Sequence, residues 1–233
     1  MNSARDDLPL RVSLRELRLV VERIVMLLGV PKGNWVAVRE VIVAAEALGL
    51  GGLAFLDERP PGGWGSPVIT SEEEHRLTVT GTGIPAPFAA PALVDLAIAT
   101  MCEYGKAEVR VSGLTDAGLL AAVEPTGAQF GAELRVGRVD ERTQVLEAAP
   151  AAEEIPIRSL AAMAGGEHLV DVALHGLGVA APLWWRLYHR SNEALTVDTP
   201  TSRTHAGAAL VTADGQSGGA VDADPDYMTE ALS

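Results

Sequence analysis

The sequence predicts an α/β (or α+β) fold in which an N-terminal helical hairpin packs on a mixed sheet. Three observations carry this. Two apolar-periodic runs, residues 14–28 and 34–48, are joined by the short turn Val30-Pro31-Lys32-Gly33. Residues 92–136 read as helix, strand, turn, helix, strand, the order of a parallel crossover unit. Short segments that alternate apolar and polar residues, such as RLTVT at 76–80 and AEVRV at 107–111, stand between Gly- and Pro-rich connections.

In chain order, residues 1–11 are polar and read as loose. Ser13 followed by Glu16 is a capping box ahead of Leu14, Leu17, Val20, Val21, Ile24, Leu27 and Leu28, one face of a helix that Gly29 ends. Asn34 is placed to cap a second helix, with Val36, Val38, Val41, Ile42 and Ala45 on its apolar side and Gly49, Gly51 and Gly52 closing it. Leu50, Leu53, Ala54, Phe55 and Leu56 lead out as a buried stretch. Residues 57–70, with Pro60, Pro61, Gly62, Gly63 and Gly65, read as loop, and Glu72-Glu73-Glu74 as a solvated turn.

Pro91 suits the first turn of a helix over 92–104, which Gly105 stops. Gly113 to Asp116 turns the chain after the 107–111 strand, a helix begins over 117–123, and residues 131–136 form another strand. Residues 138–147 read as a strand pair about Asp140-Glu141. HLVDVAL at 168–174 reads as a strand and 182–193 as a helix, with Trp184 and Trp185 on different sides of it. The expected divisions are a helical hairpin over 1–57, an α/β core over 58–206, and an Ala/Gly-rich acidic tail over 207–233 that composition marks as disordered.

The 233 residues suffice for a sizeable buried core, but aromatics are only 4%, so Ala, Val and Leu must build it. A formal charge of −13 argues against nucleic acid, whose phosphates need clustered Lys and Arg. The single cysteine, Cys102, excludes an internal disulfide, fits a reducing cytoplasm, and reads as a buried structural thiol. There is no apolar run of membrane-spanning length and no signal-peptide pattern, and no binding motif for a cofactor or metal is legible. His168 and His175, read on a strand at odd spacing, face opposite ways and make a poor metal pair.

The candidate catalytic residues are Asp116, where a strand ends and a helix begins, and His205. The candidate substrate-binding residues are Thr115, Ser202 and Arg203, the arginine because its fork grips carboxylates. Each has a plain alternative. Asp116 can cap the following helix through its carboxylate, and Arg203 can pair with one of the many acidic side chains.

Two segments resemble the type-2 malate/L-lactate dehydrogenase family, whose members use NAD or NADP without a Rossmann domain. They are VSLRELRLVVERIVMLLGVPKGNWVAVREVIVAAEALGLGGL, residues 12–53, and residues 80–118, ending EYGKAEVRVSGLTDAG. The resemblance implies the helical hairpin with its Gly-Val-Pro joint, and a strand followed by a site loop. It also implies Ser-His-Gly where this chain has Gly52, Leu53 and Ala54, and a loop histidine where it has Asp116. Both histidines that would handle substrate and proton are replaced, and no counterpart of the family's nucleotide-binding section is found. Residues 183–210 are similar to the end of an uncharacterised bacterial domain family, through Trp184, Arg186, Leu187, Ser202, Arg203 and Ala206 to Ala209.

These readings lead to two expectations. One is a divergent dehydrogenase-like protein that acts on, or binds, a small organic acid without hydride transfer and without a resident cofactor. The other is a non-catalytic accessory subunit of a partner enzyme. A true NAD(P) oxidoreductase is a third and weaker reading. The resemblance implies a homodimer or a pairing with a sister subunit.

Overall fold

The structure, a computed structural model, describes residues 9–57, 59–152, 167–195, 210–211 and 217–218. The chain divides into two units, Met1–Ala194 and Leu195–Ser233. The hairpin and the sheet share the first. In the second, Leu210–Val211 and Ser217–Gly218 pair antiparallel, and the rest of the acidic tail lies outside the described residues.

The fold class is as the sequence predicts, a mixed α/β architecture with a helical N-terminal region. Helix α1 (Leu14–Leu27) starts with the capping box: the Ser13 hydroxyl accepts the Glu16 N–H at 3.2 Å and donates to the Glu16 carboxylate at 2.7 Å. Its fully buried stripe, Leu17, Val20, Val21, Ile24 and Val25, faces α2 (Trp35–Ala47), which buries Val38, Ile42 and Val43. Burying each such side chain contributes roughly 1.5–3 kcal/mol, so packing rather than capping dominates the hairpin. The joint differs from expectation. Residues Lys32–Asn34 form a 3-10 turn and Asn34 makes no side-chain cap. The Trp35 indole N–H on the Val30 carbonyl, at 2.5 Å, holds the turn instead. Val36 is 55% exposed rather than apolar-side.

The run after α2 forms a short helix, α3 (Gly52–Leu56), with Leu53, Phe55 and Leu56 buried but Leu50 and Ala54 exposed. Single-turn geometry explains this, because one face of a helix meets the core and the other does not.

The main sheet runs Val68–Glu73 (β2), Arg76–Thr80 (β3), Ala107–Ser112 (β4), Thr143–Pro150 (β6), Ala132–Arg138 (β5) in spatial order. Strands β3 (Arg76–Thr80) and β4 (Ala107–Ser112) are parallel neighbours joined through helix α4 (Ala86–Tyr104), so the βαβ unit lies one element earlier than predicted. Strands β4 and β5 (Ala132–Arg138) do point the same way, but β6 (Thr143–Pro150) lies between them and is antiparallel to both. Leu77, Val109, Leu146 and Val136 line up across four strands. With Val79 and Val111 they form the face covered by α4 and the following 3-10 segment. The opposite face is charged and open.

Several local expectations are corrected. Residues Pro9–Val12 form β1, paired antiparallel with β7 (Leu177–Ala180); a partner so distant in sequence leaves no local signal. Val68–Glu73 is β2, an exposed edge strand rather than loop, since pairing to β3 satisfies its backbone. Helix α4 begins at Ala86, and Pro91 is interior; burial of Phe88, Ala89 and Ala90 outweighs the helical bond that Pro91 lacks. The predicted helix over 117–123 is a 3-10 segment running Ala117–Phe130, which includes Pro125. Residues Glu167–His175 form helix α5, not a strand, with Leu169 and Val172 buried at helical spacing. Helix α6 (Ala181–Asn192) buries Trp184 and exposes Trp185, as read.

Cys102 is exposed, not buried, because it falls on the outward face of α4 with Ala92, Asp95 and Ala99, while Ala97, Thr100 and Met101 turn inward. By length and composition α4 could cross a membrane, yet its buried residues pack against the sheet as a core helix does.

Candidate functional site

The two stretches singled out by the resemblance face each other across one cleft of about 480 Å3. Gly51, Ala54 and Phe55 form one wall and residues 116–119 the other. The first wall is fixed by contact. A Cβ on Gly52 would press on the Ile42 carbonyl oxygen and lie 2.9 Å from the Glu46 N, so only glycine lets α3 approach α2 so closely. The Glu46 carboxylate accepts the Leu53 N–H at 2.8 Å and caps the start of α3. Leu53 itself is fully buried, and Phe55 packs edge-on to Phe88 at 5.8 Å.

The second wall leaves β4 through Gly113 and Leu114. The Thr115 N–H donates to the Ile84 carbonyl at 3.0 Å, and its own carbonyl accepts the Ala86 N–H at 2.8 Å, which ties the loop to the start of α4. The Thr115 side chain is exposed. Asp116 follows with φ of 51°, a left-handed conformation that carbonyl-bearing side chains tolerate better than most. Its carboxylate does not cap the 3-10 segment, which corrects the plain expectation for it.

Instead Asp116 accepts the Arg59 guanidinium at 2.6 Å, across the cleft's edge. Arg59 is itself placed by two contacts: its Nε donates to the Phe55 carbonyl at 3.1 Å, and its guanidinium lies 3.9 Å from the Phe55 ring centroid. Helix α6 fastens the same corner from the other side. Arg190 donates to the Leu56 carbonyl at 2.7 Å and to the Arg59 carbonyl. Arg186 forks onto Asp57 at 2.5 and 3.1 Å, and this pairing holds the Asp57 carboxyl below the usual aspartate range. Arg190 therefore serves as a clamp on backbone carbonyls.

Asp116 thus stands at the cleft, with Thr115 exposed just before its wall, while Ser202, Arg203 and His205 lie outside the described residues. Arg59 is the residue that sequence reading missed. It sits in a Pro/Gly-rich loop, and nothing local signals a partner 57 positions away. Among the described residues no three metal-ligating side chains converge. His168 and His175 share a helix rather than a strand. Burial pushes the His168 imidazole down toward neutrality, while exposed His175 bonds Asp171 at 2.9 Å. A second cleft, about 450 Å3, lies on the open sheet face, where Arg76, Arg135, Glu108 and Glu133 largely neutralise one another.

No protein-family profile and no curated protein matches the chain. Among solved structures it is similar to malate dehydrogenase from Entamoeba histolytica, at 18% identity and TM-score 0.49, covering 64% of this chain and 48% of that one. It is also similar to a malate/lactate dehydrogenase candidate from E. coli, at 15% identity and TM-score 0.42, covering 60% and 50%. A third is malate dehydrogenase from Pyrococcus horikoshii OT3, at 15% identity and TM-score 0.44, covering 80% and 66%. The chain spans about half the length of the first two. Likenesses of this size describe part of a fold and assign no activity.

Proposed function

We propose that this chain is a dehydrogenase-like scaffold that does not transfer hydride and acts as a non-catalytic interaction subunit of a partner enzyme. The observation that supports this is the Arg59–Asp116 pair. Where the resemblance expects one histidine, the side chain is the buried Leu53. Where it expects the other, the carboxylate of Asp116 is already engaged by Arg59. Hydride transfer needs a placed acid/base beside a cofactor, and a carboxylate substrate needs a free cation. Here Asp116 occupies the guanidinium that would serve.

The test is a thermal-shift panel of NADH, NADPH and small mono- and dicarboxylic acids on the purified chain. A ligand that binds only the folded state must raise the midpoint. The expected result is no saturable shift at millimolar ligand; a saturable shift with NADH or NADPH would overturn the proposal. The positive arm is reciprocal co-purification of a partner enzyme from the native cells.

A second reading rests on the cleft itself: an organic acid could displace Asp116 and take the Arg59 fork. In that case Asp116→Asn, which frees the guanidinium, should turn a weak acid shift into a strong one, and Arg59→Ala should abolish it.

A further inference from the structure

The cleft on the open sheet face, about 450 Å3, lies at the end where β3, β4 and β5 begin and β6 ends. This is the opposite end of β4 from Asp116. Its volume is in the range that small-molecule sites occupy. One row crosses it in register: Arg76 on β3, Glu108 on β4, Glu147 on β6 and Arg135 on β5. Side chains two apart on an extended chain share a face. Lys106 therefore stands beside Glu108 at the cleft, and the small Ala149 leaves room beside Glu147. His75 is fixed at the rim, its carbonyl accepting the Glu108 N–H at 2.8 Å.

Most of these charges are matched within the chain. Arg135 donates twice to Glu133, at 2.7 and 3.0 Å, and Glu108 meets Arg110 at 2.6 Å and Arg76 at 3.6 Å. Two are not. Among the described residues, neither the Lys106 amine nor the Glu147 carboxylate makes a side-chain ion pair or hydrogen bond. Glu147 also stands directly opposite Glu108. Like charges facing across an antiparallel pair are unfavourable, and a cation between them relieves this. The cleft is lined by Arg76, Lys106 and Arg135 against Glu108, Glu133 and Glu147, a balance unlike the −13 of the whole chain. An anion alone would gain Lys106 but meet Glu147, and a cation alone would do the reverse. A neutral molecule carrying both charges satisfies both.

We propose that this cleft binds a free α-amino acid, its ammonium group between Glu147 and Glu108 and its carboxylate on the Lys106 amine and an N–H of the His75 imidazole. A carboxylate has about four lone-pair sites, so Glu108 can accept the ammonium without releasing Arg110. Lys106 and Glu108 are separated by roughly 7 Å along the chain. The short span from ammonium to carboxylate in an α-amino acid bridges that gap with one hydrogen bond at each end. Simple carboxylic acids lack the group that Glu147 calls for, so this site is distinct in ligand as well as in place from the cleft at Asp116. The inference does not depend on the functional reading above.

The test is isothermal titration calorimetry of the full chain with each common amino acid, and with acetate, propionate, methylamine and ethylamine, each to about 10 mM. The expected result is saturable binding of at least one amino acid with a Kd below about 1 mM, and none by the acids or amines. Lys106→Met and Glu147→Gln should each weaken binding at least about tenfold. Ala149→Leu, which fills the cleft without changing a charge, should do the same. Lys32→Met removes an equal charge at the hairpin joint and should leave the Kd within about twofold. All the changed side chains are exposed, and near-UV circular dichroism verifies that each variant folds. The absence of saturable binding by any amino acid overturns the proposal, as does equal binding by acetate or propionate, which would make the cleft an anion site. Wild-type affinity in Lys106→Met, Glu147→Gln or Ala149→Leu overturns it too, because the ligand would then sit elsewhere.

Discussion

The two walls of the cleft are held in different ways. The α3 wall is built from fully buried Leu53 and Leu56, a glycine pressed against the α2 backbone, and two carbonyls clamped by Arg190. The loop wall is exposed at Thr115 and Asp116. It is tied by two backbone bonds to the start of α4 and by one ion pair whose side chains are 21% and 35% exposed. Close packing resists small changes steeply, whereas an exposed ion pair is screened and weak. The first wall is therefore part of the fold, and the second can change its side chains at little cost to stability.

The comparison can be broken most strongly at Leu53. Leu53→Ala should destabilise the chain by about 3 kcal/mol, the range for emptying a buried leucine site, read by urea denaturation. Gly52→Ala should cost about 2 kcal/mol by overpacking, and its exposed neighbour Ala54→Ser close to nothing in the same assay. Arg190→Ala leaves two carbonyls without their charged donor and should cost about 1.5 kcal/mol, with faster amide exchange confined to residues around α3.

Acid sharpens the contrast further. Arg186 holds the Asp57 carboxyl below its ordinary value, and Ser13 does the same for Glu16. The unfolded chain takes up these protons first. The stabilisation is therefore full above about pH 4–5, near the unfolded values, and is lost as pH falls through the lower folded ones. Arg186→Gln should flatten the acid limb of a melting-temperature profile. The smallest effect belongs to the loop wall: Asp116→Asn should change stability by about 0.5 kcal/mol or less, while altering ligand response at Arg59 if the cleft binds acids. A loss comparable to that of Leu53→Ala would show that the loop wall is as integral as the corner.

Much of the hairpin was legible in the sequence because its signals are local. The Ser13–Glu16 box, the apolar period of α1 and the closing glycines act within a few residues of one another. The β5–β6 turn at Asp140-Glu141 and the inward Trp184 were readable for the same reason. Most of what was missed needed a distant partner. Strand β1 exists through β7, and α5 through packing against the hairpin, although its sequence alternates enough to pass for a strand; β2 was missed for another reason, because it pairs with its neighbour β3 but is exposed throughout and shows no buried alternation. Within the site, Asp116 was visible as a polar residue at a strand end. Its role was not, because capping and ion pairing make the same demand on a sequence, an aspartate.

By itself the sequence determined the fold class, the two helices of the hairpin with the capping box of the first, and the strongly negative net charge. Composition and spacing fix such properties because helix periodicity, caps and net charge are short-range or summed quantities. Only the tertiary structure decided the strand order, the exposure of Cys102, and the engagement of Asp116 by Arg59 rather than by the helix that follows it. Those depend on which side chains the fold brings within a few ångströms, and separation along the chain carries no record of that.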